Sequence, residues 1–216
     1  MDRRILVINP NSDAGCTAGI ATAVAPFARP GVVFDTISLP GGPPAIVSWD
    51  DWFGVAQPLE RLVAGQDADA IIIACVSDPG IDLLRSTTPR PVFGPLRCGV
   101  AAAAARADRF GLIAFVDASR ARQRRVLQAM GMEARCAGIV PLNLSMASLL
   151  DPDAPRIGLR DAARALAGMG AEAIVMGCAG MAAHRAFLED ACGLPVIEPI
   201  QAAAAQALAA VVPSQN

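Results

Sequence analysis

Lysine and tyrosine are absent from the 216 residues, and histidine occurs once, as His184. Because all 18 basic residues are arginine, no side chain can form a Schiff base with pyridoxal phosphate, act as a phosphate-loop lysine or complete a Glu-Lys-Cys amidase. A single imidazole leaves little for a histidine triad or a histidine metal site, and the missing phenols remove another proton carrier. Cysteines at 16, 75, 98, 136, 178 and 192 contain no Cys-x-x-Cys and no Cys/His cluster. Neither a zinc site nor a redox pair is signalled, and reduced thiols are expected. The formal charge of -2 offers no broad basic surface, so nucleic acid is not an expected partner. No apolar run approaches the roughly 18 residues of a membrane span. Met1-Asp2-Arg3-Arg4 leads straight into a strand too short for a signal h-region, and the expectation is a cytoplasmic protein without a membrane partner.

What remains is a chain with 54% hydrophobic residues, much of it alanine. Apolar runs near 4–9, 31–38, 69–75, 91–94, 110–116, 136–141, 172–178 and 195–198 read as short buried strands. Helical stretches near 14–25, 54–65, 79–86, 119–130, 158–169, 181–191 and 199–211 separate most of them. Strands alternating with helices predict an α/β protein with a mainly parallel, helix-covered sheet.

The chain also repeats itself. Ala68-Asp69-Ala70-Ile71-Ile72-Ile73-Ala74-Cys75 returns as Ala171-Glu172-Ala173-Ile174-Val175-Met176-Gly177-Cys178, and Pro91-Val92-Phe93 as Pro195-Val196-Ile197. Asp2-Arg3 before the first strand returns as Asp108-Arg109 before the fifth. Three matches in one order at offsets of 103 to 106 positions imply duplication into two similar lobes. Ligands bind beyond the carboxyl ends of parallel strands, so pseudo-twofold lobes would bring Cys75 and Cys178 to one cleft. The last helix follows the strand equivalent to 91–94 and is expected to cross back, giving lobe one residues 1–95 plus 199–216 and lobe two residues 96–198.

Cys75-Val76-Ser77-Asp78-Pro79-Gly80 places a cysteine at a strand end, with Asp78 suited to cap a helix and Pro79 to its first position. A helix start beside Cys75 would favour its thiolate. Taken alone, a strand-end cysteine reads more readily as a small buried hydrophobe. Gly177-Cys178-Ala179-Gly180-Met181 repeats the arrangement, however, with glycines that permit close backbone approach and leave N–H groups open. Asn9-Pro10-Asn11-Ser12-Asp13 offers amides at the first strand end and a cap for the next helix, or is only a capped turn.

Asn9-Pro10-Asn11-Ser12, Cys75-Val76-Ser77-Asp78-Pro79-Gly80, Gly177-Cys178-Ala179-Gly180-Met181 and Pro195-Val196-Ile197-Glu198 together resemble the hydantoin and allantoin racemase branch of the aspartate/glutamate/hydantoin racemase superfamily. The resemblance implies two Rossmann-like lobes with parallel four-stranded sheets, pseudo-twofold related, and an active site in the cleft between them. It implies Cys75 and Cys178 as acid/base thiols working without cofactor or metal on a small cyclic amide, in a homo-oligomer. Asn11, Ser12, Pro43 of the Pro40–Ile46 loop, Val76, Ser77, Ala179 and Gly180 are the expected substrate contacts. Gly94–Arg97 and Phe115–Ser119 depart from the family pattern. The Cys-Asn-Thr and Cys-Thr-His segments of glutamate racemases are missing, which points away from free amino acids.

Racemising a centre beside a carbonyl means removing a proton from one face and returning one to the other, a task for one thiolate and one thiol. The expected activity is therefore racemisation of 5-substituted hydantoins, with the N–H groups of Val76, Ser77, Ala179 and Gly180 holding the enolate-like intermediate. Allantoin racemisation and a maleate isomerase-like reaction are the alternatives, and a silent small-molecule binding protein is the non-enzymatic one. Retention of both cysteines argues against a decarboxylase using one.

Trp49, Trp52 and Phe115 read either as walls of a side-chain pocket or as core cover. His184 reads more readily as a helix-surface residue than as a catalyst. Arg120, Arg122, Arg124 and Arg125 read as a solvated face. Cys16, Cys98, Cys136 and Cys192 lack the strand-end context and read as structural.

Overall fold

The computed structural model describes residues 2–212. Met1 and residues 213–216, which the sequence places in lobe one, lie outside the described residues. Two parallel sheets run β2-β1-β3-β4 and β6-β5-β7-β8. The first contains β1 (Arg3–Asn9), β2 (Val32–Ser38), β3 (Ala70–Ile73) and β4 (Val92–Phe93). The second contains β5 (Phe110–Ala114), β6 (Cys136–Pro141), β7 (Ala173–Gly177) and β8 (Val196–Ile197). Identical strand order is the duplication expected from the sequence offsets. The central strands read as unbroken apolar runs because helices cover both faces of each sheet.

The helices are α1 (Ala14–Val24), α2 (Trp49–Gly54), α3 (Ala56–Ala64), α4 (Ile81–Thr87), α5 (Pro95–Ala104), α6 (Ser119–Ala129), α7 (Met146–Leu150), α8 (Arg156–Gly168), α9 (Arg185–Cys192) and α10 (Pro199–Val211). Local chemistry sets several starts. The Asp13 carboxylate accepts from Cys16 N at 2.6 Å and opens α1. Ser48 and Asp51 form a reciprocal capping box that opens α2. None of these helices is long and apolar enough to cross a membrane.

Two helices change sides. Helix α5 follows β4 of the first sheet but buries Leu96, Val100 and Ala103 against Phe110, Leu112 and Val175 of the second. Helix α10 follows β8 of the second sheet but buries Ala203, Ala204, Ala207 and Val211 against Ile5, Val7 and Ile72 of the first. They meet at the centre, where a Cβ on Gly99 would lie 3.2 Å from the Pro199 ring. The sequence did not signal α5: a short helix packed on most sides has no polar face, so the helical period is lost.

Candidate active site

Cys75 lies two residues beyond β3, and Cys178 follows β7 directly. Both line one cavity together with Asn11, Cys16, Ile46, Val76, Ser77, Phe115, Ser119, Met146 and Ala179. The walls come from both lobes. The cavity measures about 40 Å³, below the roughly 300–1,000 Å³ of ordinary ligand pockets.

Of the expected contacts, Asn11, Val76, Ser77 and Ala179 are on the wall. Ser12 and Pro43 lie behind it, joined by Ser12 N–H donating to the Pro43 carbonyl at 2.9 Å, which ties the Pro40–Ile46 loop to the end of β1. Gly180 is also behind the wall, with its N–H directed at the Cys178 sulfur. Among the described residues, the N–H groups of Val76 and Ser77 meet no protein acceptor. Their carbonyls are pinned, by Gln123 Nε2 at 3.1 Å and Trp52 Nε1 at 2.9 Å. Fixed peptide planes with open donors suit a developing oxyanion.

Gln123, fully buried, joins the two strand ends. Its Nε2 donates to the carbonyl of Val76, next to Cys75, and at 3.0 Å to that of Gly177, next to Cys178. The lack of a Cβ at Gly177 is required, because one would run into the Ile113 carbonyl and lie 2.8 Å from Gln123 Nε2.

The helix start expected beside Cys75 is not there. Asp78 adopts a left-handed backbone, φ 51°, and Gly80, also left-handed, precedes α4, which opens only at Ile81. The Asp78 carboxylate instead caps α5, accepting from Leu96 N at 2.9 Å, Arg97 N at 3.1 Å and Arg97 Nη1 at 3.0 Å. A Cβ at Gly94 would occupy the space of that carboxyl. Burial of Asp78 outweighs Arg97 and the helix-start donors, so its pKa is raised.

Each thiol is partly open to the cavity but enclosed on its other sides, and Cys75 is not depressed as the sequence suggested. Burial pushes Cys75 up to about 11; the Ser77 hydroxyl, 3.5 Å away, and the Arg122 guanidinium pull it down. Burial pushes Cys178 further up, and the charges of Cys16, Cys75 and Glu198 add to the rise against the Gly180 N–H.

Further expectations need revision. Cys16 is no remote structural residue: it lines the cavity in the first turn of α1, with Asn11 Nδ2 3.9 Å from its sulfur. Trp49 and Trp52 do not line the cavity; Trp52 is buried and holds the Ser77 carbonyl, while Trp49 is exposed. Phe115 is a wall residue. His184 is buried away from the thiols, its Nε2 3.0 Å from the Leu149 carbonyl. Arg122 is not solvated but 1% exposed. Helix α6 buries Ser119, Arg122, Gln123, Val126 and Leu127, the 0, 3, 4, 7, 8 spacing of a core-facing stripe. Polar residues on that stripe were the available signal for Arg122 and Gln123.

Two like α/β lobes each bring a cysteine to one cavity. The profile of the Asp/Glu/Hydantoin racemase family matches residues 5–207. A hydantoin racemase of Paenarthrobacter aurescens is 35% identical over 93% of this chain and 87% of its own length. One from Pseudomonas sp. strain NS671 is 32% identical over 92% and 82%. Among solved structures, the allantoin racemase of Klebsiella pneumoniae superposes with a TM-score of 0.90 at 30% identity, covering 97% of this chain and 88% of its own. The chain belongs to the Asp/Glu/hydantoin racemase family and is an enzyme of the racemase and epimerase class.

Proposed function

We propose that this enzyme racemises 5-substituted hydantoins without a cofactor, through Cys75 and Cys178. The observation that carries the choice of substrate is the apolar wall: Ala45, Ile46, Val76, Phe115, Met146 and Ala179 surround the thiols. An aliphatic or aromatic ring substituent would lie against these side chains, whereas the ureido group of allantoin would have Asn11, Ser77 and Ser119 on the wall to meet its several donors and acceptors. The thiolate of one cysteine takes the Cα proton and becomes a thiol. The electron pair moves onto the adjacent carbonyl oxygen, facing the N–H groups of Val76 and Ser77, with Ala179 closing the opposite side and the Gly180 N–H behind it on the Cys178 sulfur. The other thiol returns a proton to the far face and is left as the thiolate, ready for the opposite enantiomer. Asn11 supplies an amide to the ring, while Ser12 and Pro43 hold the loop over it. In this reading residues 1–95 with 199–216 form one catalytic lobe and 96–198 the other, supported by the side-changing packing of α5 and α10.

Allantoin is the second reading, favoured by the likeness to the Klebsiella pneumoniae structure. Optical rotation of single enantiomers of 5-benzyl- and 5-isopropylhydantoin and of allantoin decides between them. Loss of rotation with the hydantoins supports the proposal, and loss with allantoin alone replaces it. No loss with any ring moves maleate-like acids or a binding role forward.

A further inference from the structure

Arg122 is a buried cation without a partner. It is 1% exposed, no carboxylate among the described residues lies within salt-bridge distance of it, and its Nε has no hydrogen-bond acceptor. Its Nη2 makes only two long contacts, to the Ile46 carbonyl at 3.4 Å and Ser119 Oγ at 3.3 Å. Ile46 and Ser119 are both walls of the thiol cavity, so the guanidinium lies directly behind that wall. A desolvated charge is costly and is kept where an anion faces it.

The acidic groups that Arg122 feels are Cys75 and Asp51. Asp51 is already engaged, its carboxylate accepting from Ser48 N, Ser48 Oγ and Val47 N in the cap of α2. Cys75 is faced by Ser77 and Asp78 from its own loop, Cys16 from α1 and Arg122 from α6; of these only Arg122 is cationic. Cys178 has no cation among its main influences, which are Cys16, Cys75, Glu198 and the Gly180 N–H.

We propose that Arg122 is the counter-cation of a Cys75 thiolate, a positioning residue that makes Cys75 the first of the two thiols to ionise and leaves Cys178 protonated. This rests on the two-thiol reading above. When the proton has moved from substrate to Cys75, the same cation faces the enolate formed between the two sulfurs, so its stabilisation follows the negative charge through the step. Arg122 thereby distinguishes two thiols that the matching sheets place in equivalent positions.

The test is a titration that needs no substrate. Thiolate absorbance at 240 nm is followed against pH in the full chain and assigned to Cys75 by subtracting the Cys75→Ser variant, in wild-type, Arg122→Gln and Arg122→Lys backgrounds. Glutamine removes the charge and leaves a shorter polar amide; lysine keeps charge without the fork. Opposite charges at close range move a titration by about 1–3 pH units. The expected result is an upward shift of about one unit or more in Arg122→Gln, a smaller one in Arg122→Lys, and the same shift in the acid limb of kcat/KM. Titration of Arg122→Gln as in wild type, or equal shifts in both variants, overturns the proposal. Because the readout requires no turnover, it can fail while Cys75→Ser and Cys178→Ser still establish two-thiol racemisation. It can equally succeed if no hydantoin is a substrate.

Discussion

Asp78 in the first lobe and Glu198 in the second are buried carboxylates that cap the two side-changing helices by different routes. Glu198 immediately precedes α10 and accepts from Ile200 N at 3.1 Å and Gln201 N at 2.6 Å. Asp78 reaches α5 from the loop after Cys75, across the space left open by Gly94. The consequence is unequal coupling. The Cys75 loop is tied to the start of a helix that packs on the other lobe, to Trp52 through Ser77 and to Gln123 through Val76. The Cys178 end has the Gln123 bond at Gly177 and the Gly180 N–H at its sulfur. The two strand ends are therefore held unequally, although their strands occupy matching places in the two sheets.

The largest expected effect is that of pH. With Cys75 pushed up to about 11 by burial, the thiolate fraction below that value grows about tenfold per pH unit. The logarithm of kcat/KM should rise with a slope near one from about pH 6 to pH 9. A plateau at neutral pH would mean that the thiolate is far better stabilised than the geometry shows.

Asp78→Ala should be the most damaging substitution outside the thiols. It removes two helix-start acceptors and the partner of Arg97, and breaking a buried pair from one side costs about 3–5 kcal/mol. Chemical denaturation measures this loss. If Asp78→Ala cost no more than Glu198→Ala, the claimed inequality of the two caps would not hold.

Gln123→Leu leaves the Val76 and Gly177 carbonyls without their shared donor and frees the spacing between the strand ends. A fall in kcat of about a hundredfold is expected for a misplacement on the order of 1 Å, with a stability loss of about 1–3 kcal/mol. Steady-state kinetics beside a thermal melt would show whether activity falls more than folding does.

Glu198→Gln should have the smallest effect and a distinctive pH dependence. Burial raises Glu198 to about 7 against the helix-start donors, so the fold favours its protonated form. Its contribution is complete at low pH and declines as pH climbs from the ordinary carboxyl range through 7. Glutamine keeps an acceptor and cannot ionise, so Tm should vary less between about pH 5 and pH 8 in the variant. A parallel pair of Tm curves would mean that Glu198 is ionised throughout.

Much of this molecule is legible in its sequence because parallel strands covered on both faces leave continuous apolar runs, and because duplication shows as a constant offset. Cys75 and Cys178 stand out on that account. Other features depend on tertiary contacts that local reading does not reach. Asp78 looks like a cap for the helix just after it, yet its target is 18 positions downstream. Cys16 reads as a core residue of α1 until the fold brings its first turn to the two thiols. Arg122 belongs to an arginine-rich stretch whose exposed members outnumber it, and only the helical stripe separates it from them.

The central claim is that Cys75 and Cys178 address opposite faces of one carbon. It is tested most directly by incubating each enantiomer of a hydantoin substrate in deuterium oxide with Cys75→Ser and with Cys178→Ser. The account expects racemisation to be lost in both, while each variant still exchanges deuterium into one enantiomer, and into opposite enantiomers for the two. Racemisation surviving in either variant, or exchange confined to the same enantiomer in both, would contradict it.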